Sequence, residues 1–163
     1  MFQEAHRDEH IDGGMTLLQA NLDDMNPELT TYVSDLLFAH GANDVYWVPI
    51  IMKRGRPGVM LNVLTDRSTV ESMEEIIFRE TTTLGIRRLD AAVHRLGRNI
   101  VPVETPWGTI NVKVGLYRGA EVQYAPEYRD CAAAAERHGV PLKAVYDEVR
   151  RCYAEQKARE QAK

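Results

Sequence analysis

Hydrophobic residues recur along the chain in two kinds of segment, typical of helices and of strands. The order of these segments predicts a mixed α and β domain. Two amphipathic segments, one over 27–40 and one from Asp66 or Ser68 to about residue 80, have the spacing of helices. Four short apolar or β-branched runs are typical of strands and lie at 15–22, 45–52, 59–64 and 86–96. The second strand contains Pro49, which cannot donate to a ladder, so we expect this strand at a sheet edge.

This order of elements, β-α-β-β-α-β, is the ferredoxin-like pattern of an α+β fold. We therefore expect an antiparallel sheet in the order 4-1-3-2 over residues 15–96. Residues 1–14 are polar, end in two glycines and read as a linker or disordered tail. Residues 97–163 form an appendage in this interpretation: a β-hairpin around the turn at 106–108, followed by two helices and a charged tail that frays after residue 155.

Composition narrows the classes of protein that this chain resembles. Its formal net charge of −4 disfavours general nucleic-acid binding. An RNA-binding ferredoxin-like domain wants stacking aromatic residues on its central strands, and strands one and three have none. Cys131 and Cys152 lack the spacing of a metal site, which favours a reduced, cytoplasmic chain. No apolar run has the length of a membrane span, and no signal-peptide pattern is present.

An acidic turn joins the first strand to the first helix and contains Asp23, Asp24 and Glu28. Carboxylate oxygens are ligands for hard divalent cations, and a helix N-terminus favours anions. The turn therefore fits an anion carried by a metal ion, such as a nucleoside triphosphate. The alternative is structural, because Asp, Asn, Pro and Glu are all typical of the start of a helix.

A basic turn, Lys53 to Gly58, follows the second strand and offers three cations and two glycines. Arginine binds phosphate through two nitrogens, and glycine lets backbone N–H groups approach an anion. The predicted topology brings three segments to one edge of the sheet, the edge formed by the ends of the strands. They are the acidic turn, the basic turn and residues 80–88. The cations that we expect to contact phosphate there are Lys53, Arg54, Arg56, Arg87 and Arg88.

Five stretches of the sequence are similar to motifs of the LarC family, in order and in spacing. They lie at 19–28, 51–58, 79–87, 103–108 and 125–131. The resemblance implies a pyridinium-3,5-bisthiocarboxylic acid mononucleotide nickel insertion protein, a CTP-dependent nickel chelatase (cyclometallase) of the lyase class. Such proteins put Ni²⁺, the substrate metal, into the cofactor of lactate racemase, with CTP and Mn²⁺ or Mg²⁺ as cofactors.

The resemblance covers only the C-terminal, nucleotide-binding portion of that family. It implies an N-terminal partner part, the pyridinium mononucleotide ligand and a homo-oligomer, and it assigns no catalytic residue. Gln19 stands where the family often has Glu, so one acceptor is neutral in this chain.

The predicted site divides the chemistry among its residues. Asp23, Asp24 and Glu28 would hold the divalent metal against the triphosphate, and the basic turn, the Arg87 region and Lys113 would neutralise phosphate charge. Hydroxyl groups that could add phosphate or ribose contacts belong to Thr81, Thr82 and Thr83.

Two other classes stay open. Ferredoxin-like folds host many non-catalytic nucleotide-binding regulators, which would bind nucleotide without turning it over. An RNA-binding domain is the other alternative, and the absence of aromatics on the central strands disfavours it.

Overall fold

The computed structural model describes residues 8–161 of the chain. Contacts between backbone positions divide these residues into two units. Ile11–Val93 form the N-terminal unit, and residues from His94 onward, with those up to His10, form the C-terminal unit. The predicted domain limits at residues 14 and 96 stay predictions.

The N-terminal unit contains a four-stranded sheet and two helices. Its elements are β1 (His10–Leu22), α1 (Leu29–Ala39), β2 (Asp44–Met52), β3 (Arg56–Asp66), α2 (Val70–Glu80) and β4 (Arg87–Arg95), with 3-10 turns at Lys53–Gly55 and Arg67–Thr69. The strand order is β2-β3-β1-β4, which is the predicted order read from the opposite edge. The α+β ferredoxin-like fold is therefore confirmed, and Pro49 lies on an edge strand as expected.

Alternation along the central strands gives the sheet two different faces. Leu18, Ala20 and Leu22 of β1 are buried in one apolar cluster with Val33 and Leu37 of α1. That cluster also contains Leu61 and Val63 of β3 and, from α2, Val70, Met73, Ile76 and Ile77. Side chains at the alternate positions of the strands point to the opposite side, because successive residues of a strand face opposite ways. We call that opposite side, which neither α1 nor α2 covers, the helix-free face.

The C-terminal unit contains a second sheet and two helices. Its elements are β5 (Gly97–Thr105), β6 (Gly108–Tyr117), β7 (Ala120–Pro126), α3 (Tyr128–His138) and α4 (Leu142–Gln161). The sheet order is β5-β6-β7, and its buried face packs with α3 and α4 around Val112, Val145 and Val149. None of the described helices is both long and apolar enough to cross a membrane.

Three details differ from the sequence-based expectations. The hairpin of the appendage has a third strand, β7, because Arg118 and Gly119 both adopt positive φ and make a tight two-residue turn. Helix α4 continues to Gln161 rather than fraying after residue 155, and the Arg151–Glu155 and Arg159–Glu155 ion pairs connect its successive turns.

The start of β1 is the third difference. Residues 1–7 of the predicted tail lie outside the described residues, but His10 to Gly14 belong to the strand. Neither Gly13 nor Gly14 adopts a positive φ, so the two glycines continue the extended backbone instead of breaking it.

Candidate nucleotide and metal site

The acidic turn is held by Asn26, not by its aspartates. Asn26 Oδ1 accepts a hydrogen bond from the backbone N–H of Glu28 at 3.1 Å, and Asn26 Nδ2 donates to Glu28 Oε2 at 3.5 Å. Asn26 thereby provides the local turn that precedes α1, as Asn does at many helix starts. Asp23 and Asp24 make no cap to α1, and each of them instead contacts a residue from another part of the chain.

Those two contacts join all three predicted segments at one edge of the sheet. Arg56 Nη1, at the start of β3, lies 3.2 Å from Asp23 Oδ2. Thr82, in the segment after α2, donates its hydroxyl to Asp24 Oδ1 at 2.5 Å. The convergence that the topology predicted for the acidic turn, the basic turn and residues 80–88 is therefore present in the N-terminal unit.

A third contact connects the first and fourth strands at the same edge. Arg87 Nη1 donates to Asn21 Oδ1 at 3.3 Å. Arg88 follows it directly in β4 and therefore points to the opposite, helix-covered face, where it binds Glu74 of α2 through Nε at 2.6 Å and through Nη2. This pairing raises the pKa of Arg88 above its ordinary value. The sequence grouped the two arginines, but the strand places them on different faces.

The basic turn presents its cations from a strained backbone. Arg54 adopts a left-handed conformation with φ of 63°, and Gly55 follows with φ of 70°. A non-glycine residue in this region costs on the order of 1 kcal/mol, and such strain is often found at functional sites. Among the described residues, Lys53 and Arg54 have no ion-pair partner, so both cations are available to an anion.

The close approach of Gly58 fixes the basic turn against the acidic turn. A Cβ atom at Gly58 would lie 2.5 Å from the carbonyl oxygen of Leu22, the residue directly before Asp23. Only glycine permits this approach without movement of the backbone. The position of the acidic turn therefore depends on a residue in the third strand.

The three threonines after α2 have different local roles. Thr81 donates its hydroxyl to the carbonyl oxygen of Ile77 at 2.7 Å and so closes the end of α2. Thr83 donates to the carbonyl oxygen of Gly85 at 2.9 Å and shapes the loop. Thr82 alone reaches the acidic turn, and its role as a direct phosphate or ribose contact stays a prediction, as do those of Thr81 and Thr83.

The predicted metal ligands do not form a ready-made cage. Within residues 8–161, no group of three or more His, Cys, Asp or Glu side chains has the arrangement of a metal site. Asp23, Asp24 and Glu28 are engaged by Arg56, Thr82 and Asn26 respectively. One or two carboxylates together with phosphate oxygens are a common way to hold Mg²⁺, so these donors fit a metal that arrives with a nucleotide.

Lys113 lies in the C-terminal unit, on β6. Its Nζ is 3.1 Å from Glu127 Oε2, and its side chain keeps about a third of its possible exposure. Its predicted contact with phosphate stays a prediction.

A polar column on the helix-free face continues from this edge into the sheet. Gln19, Asn21 and Asp23 recur at every second position along β1 and just beyond its end, so they share that face. In the neighbouring strands Gln19 is paired with Asn62, and Asn62 with Tyr46. The sequence interpretation did not select Asn62 or Tyr46, although an Asn inside the apolar run of β3 was a signal.

The family model described as nickel insertion protein matches residues 2–146 of this chain. The chain belongs to the nickel insertion protein family. It is 46% identical over 145 residues to a pyridinium-3,5-bisthiocarboxylic acid mononucleotide nickel insertion protein of Acetivibrio thermocellus. It is also 44% identical over 133 residues to a putative nickel insertion protein of Dictyoglomus thermophilum.

These relatives are longer than this member of the nickel insertion family. The matches cover 89% and 82% of the chain but only 35% and 34% of the two relatives, so the chain spans about a third of their length.

Among solved structures, the chain resembles LarC2 in its apo form, described as the C-terminal domain of a cyclometallase involved in synthesis of the NPN cofactor of lactate racemase. That match has a TM-score of 0.84 and 34% identity, and it covers 89% of this chain and 99% of the other. A protein from Methanopyrus kandleri matches with a TM-score of 0.62 and 25% identity over 85% of this chain and 87% of its own. The resemblance to the LarC family is therefore confirmed.

Proposed function

We propose that this chain is the CTP- and divalent-metal-binding module of a nickel insertase. The full enzyme would put Ni²⁺ into the pyridinium-3,5-bisthiocarboxylic acid mononucleotide that becomes the lactate racemase cofactor. In this proposal the chain binds CTP with Mn²⁺ or Mg²⁺, and the complete reaction is that of a CTP-dependent cyclometallase of the lyase class. Family membership and the likeness to the apo LarC2 domain support it.

The single observation that carries the proposal is the convergence of two aspartates and two arginines at one sheet edge. Asp23 lies beside Arg56, Asp24 beside Thr82 and Asn21 beside Arg87, and all of these contacts join segments far apart in sequence. Clustered cations next to carboxylates are the arrangement that a metal-bound phosphate chain requires.

The residues at this edge divide the binding chemistry. Arg54, Arg56 and Arg87 bind phosphate oxygens, with Lys53 as an additional cation on the same turn. Asp23 and Asp24 supply oxygen ligands to the divalent metal, which neutralises phosphate charge when it is bound. Glu28 lies in the same turn and completes the predicted ligand set.

The proposal does not depend on two predicted phosphate contacts. Arg88 is held on the other sheet face by Glu74, and Lys113 is paired with Glu127 in the C-terminal unit. The proposed nucleotide site, at the edge formed by the acidic and basic turns, needs neither Arg88 nor Lys113.

Nickel and its pyridinium ligand belong to a larger assembly in this proposal. Because the chain spans about a third of its relatives, the family's N-terminal part is the expected partner. We further propose a homo-oligomer and a cytoplasmic location; the two cysteines, which are free thiols, agree with a reducing compartment.

Calorimetric titration with CTP, with and without Mn²⁺, tests the proposal on the chain as it exists. We expect metal-dependent binding that Arg87→Ala weakens at least about tenfold, because a charge-assisted hydrogen bond contributes roughly 1.5–3 kcal/mol. Arg79→Ala is the matched control, since Arg79 is an exposed arginine of α2 that pairs with Glu75. Equal binding by both variants and the unchanged chain would contradict the proposed site.

Adding the N-terminal part of a family member distinguishes an enzyme module from a regulator. We expect nickel insertion into the pyridinium mononucleotide only when CTP, the metal and both parts are present. Binding of CTP without any nickel insertion in that mixture would favour the non-catalytic regulator.

A further inference from the structure

Gln19 is held in one amide orientation by a chain of hydrogen bonds that ends on the backbone. Asn62 Nδ2 donates to the carbonyl oxygen of Met60 at 3.1 Å. A backbone carbonyl accepts and never donates, so this bond fixes which end of the Asn62 amide is nitrogen. Asn62 Oδ1 therefore faces Gln19 and accepts from Gln19 Nε2 at 2.9 Å.

Gln19 therefore presents its Oε1 as a hydrogen-bond acceptor in a fixed orientation on the helix-free face. With Gln19 Nε2 committed to Asn62, its Oε1 is the free end of the amide, and no described residue donates to it. Asn62 is only 1% exposed and cannot turn toward a ligand, whereas Gln19 is half-buried and keeps an accessible surface. Because Asn62 is buried and hydrogen-bonded at both ends of its amide, it resists rotation.

The acceptor lies in line with the proposed phosphate site. Gln19 lies in β1 and Asp23 just beyond its end, four residues further on, which is about 13 Å in extended backbone. Asn21 and Arg87 lie between them on the same face. If an extended nucleotide lies along this polar column with its triphosphate at Arg56 and Arg87, its base is near Gln19.

Tyr46 of β2 lies beside Asn62, on the side away from Gln19. It is paired with Asn62 across the β2–β3 ladder, and 43% of its surface is exposed. An exposed aromatic ring next to an amide pair offers a stacking surface for a base beside a hydrogen-bonding group.

We infer that Gln19, positioned by Asn62, is the base-selecting residue of this module and accepts a hydrogen bond from the exocyclic amine of the nucleobase. This inference rests on the proposed function. Cytosine carries an amine at its 4-position, whereas uracil carries a carbonyl oxygen there, which would meet Gln19 Oε1 as acceptor against acceptor. A hydrogen bond made with one base and left unmade with the other gives discrimination of about tenfold to a hundredfold.

Titrations in the presence of Mn²⁺ test the inference on the unchanged chain. We expect CTP to bind at least about tenfold more tightly than UTP. A pyrimidin-2-one ribonucleoside triphosphate, which lacks the exocyclic amine, should lose a similar factor relative to CTP. Equal affinities for CTP and the pyrimidinone analogue would overturn the inference without any variant being needed.

Gln19→Met then removes the acceptor and keeps the length of the side chain. The ratio of CTP to UTP affinity should fall to within about threefold, and UTP should bind no worse than before. Gln123→Met is the control, because Gln123 is an exposed glutamine on strand β7 of the C-terminal unit. A wild-type ratio in Gln19→Met would contradict the role of Gln19.

The outcomes separate the inference from the proposed function. If the unchanged chain binds neither CTP nor UTP with Mn²⁺, the nucleotide module itself is refuted. If it binds both equally well, the module stands and the assignment of base selection to Gln19 is refuted.

Discussion

Replacing Gly58 with alanine tests how tightly the third strand holds the acidic turn. The added Cβ would lie 2.5 Å from the Leu22 carbonyl oxygen and 3.0 Å from Met52 Sδ. Since ordinary contact begins at 3.4 Å, the Leu22 carbonyl has to move by about 0.9 Å, and it is backbone within the β1–β3 ladder. We expect the free energy of unfolding to fall by about 1–3 kcal/mol, as for other overpacked sites.

The same movement reaches the site, because Leu22 immediately precedes Asp23. Gly58→Ala should therefore weaken binding of CTP with Mn²⁺ even under conditions where the protein stays folded. Urea unfolding followed by Trp47 fluorescence measures the stability of the N-terminal unit, with Trp107→Phe as background so that only Trp47 reports. Trp47 is partly buried against the apolar core of that unit.

Gly14→Ala is the matched control for this substitution. A Cβ at Gly14 meets nothing within 4 Å, and its φ is not positive. We expect it to raise the free energy of unfolding slightly, by up to about 1 kcal/mol, because alanine restricts the unfolded chain. The steric argument is refuted if Gly58→Ala is as stable as the unchanged protein, or if the two variants behave alike.

Three further predictions follow from individual contacts. Arg56→Ala should change the free energy of unfolding by less than about 1 kcal/mol in urea titrations, because its ion pair is exposed. Calorimetry should nevertheless show that the affinity for CTP falls about tenfold or more. Unchanged affinity would remove Arg56 from the site. Leu37→Ala, at a fully buried position, should cost about 2–5 kcal/mol in the same titrations, and a loss below 1 kcal/mol would contradict the described core. The hydrogen bond from Lys157 lowers the pKa of Glu121, so this carboxylate stabilises the fold above its ordinary pKa of 4.5 and loses that contribution as the pH falls below it. In acid titrations of unfolding free energy Glu121→Gln should therefore show a shallower decline, and an unchanged slope would refute the pairing.

The hydrophobic pattern was sufficient to predict the order of elements and strands in the N-terminal unit. Its helices showed the helical spacing of apolar residues, and its strands were short apolar or β-branched runs. Pro49 marked the edge strand because proline lacks an N–H group. The topology then placed the acidic and basic turns at one edge, which the Asp23–Arg56 contact confirms.

Other features were beyond sequence reasoning for identifiable reasons. Arg87 and Arg88 are neighbours in sequence, and only the register of β4 shows that one faces Asn21 and the other Glu74. Strand β7 was missed because Arg118 is an unusual residue for a turn that requires positive φ.

The acidic turn shows how tertiary contacts decide between two local interpretations. Its composition fitted both a helix cap and a metal site. The structure assigns the local turn to Asn26 and leaves both aspartates facing residues of other segments. Sequence alone does not show which of the polar residues Asp23, Asp24 and Asn26 holds the local turn.

Paramagnetic broadening by Mn²⁺ tests the central claim most directly. Mn²⁺ at low stoichiometry, added with CTP to the ¹⁵N-labelled chain, relaxes amide signals close to the bound metal. We predict broadening concentrated in residues 22–28, 54–58 and 81–88, with residues 41–44 and 64–69, at the opposite end of the same sheet, much less affected. Broadening centred away from the acidic and basic turns, or broadening that does not depend on CTP, would contradict the proposed site.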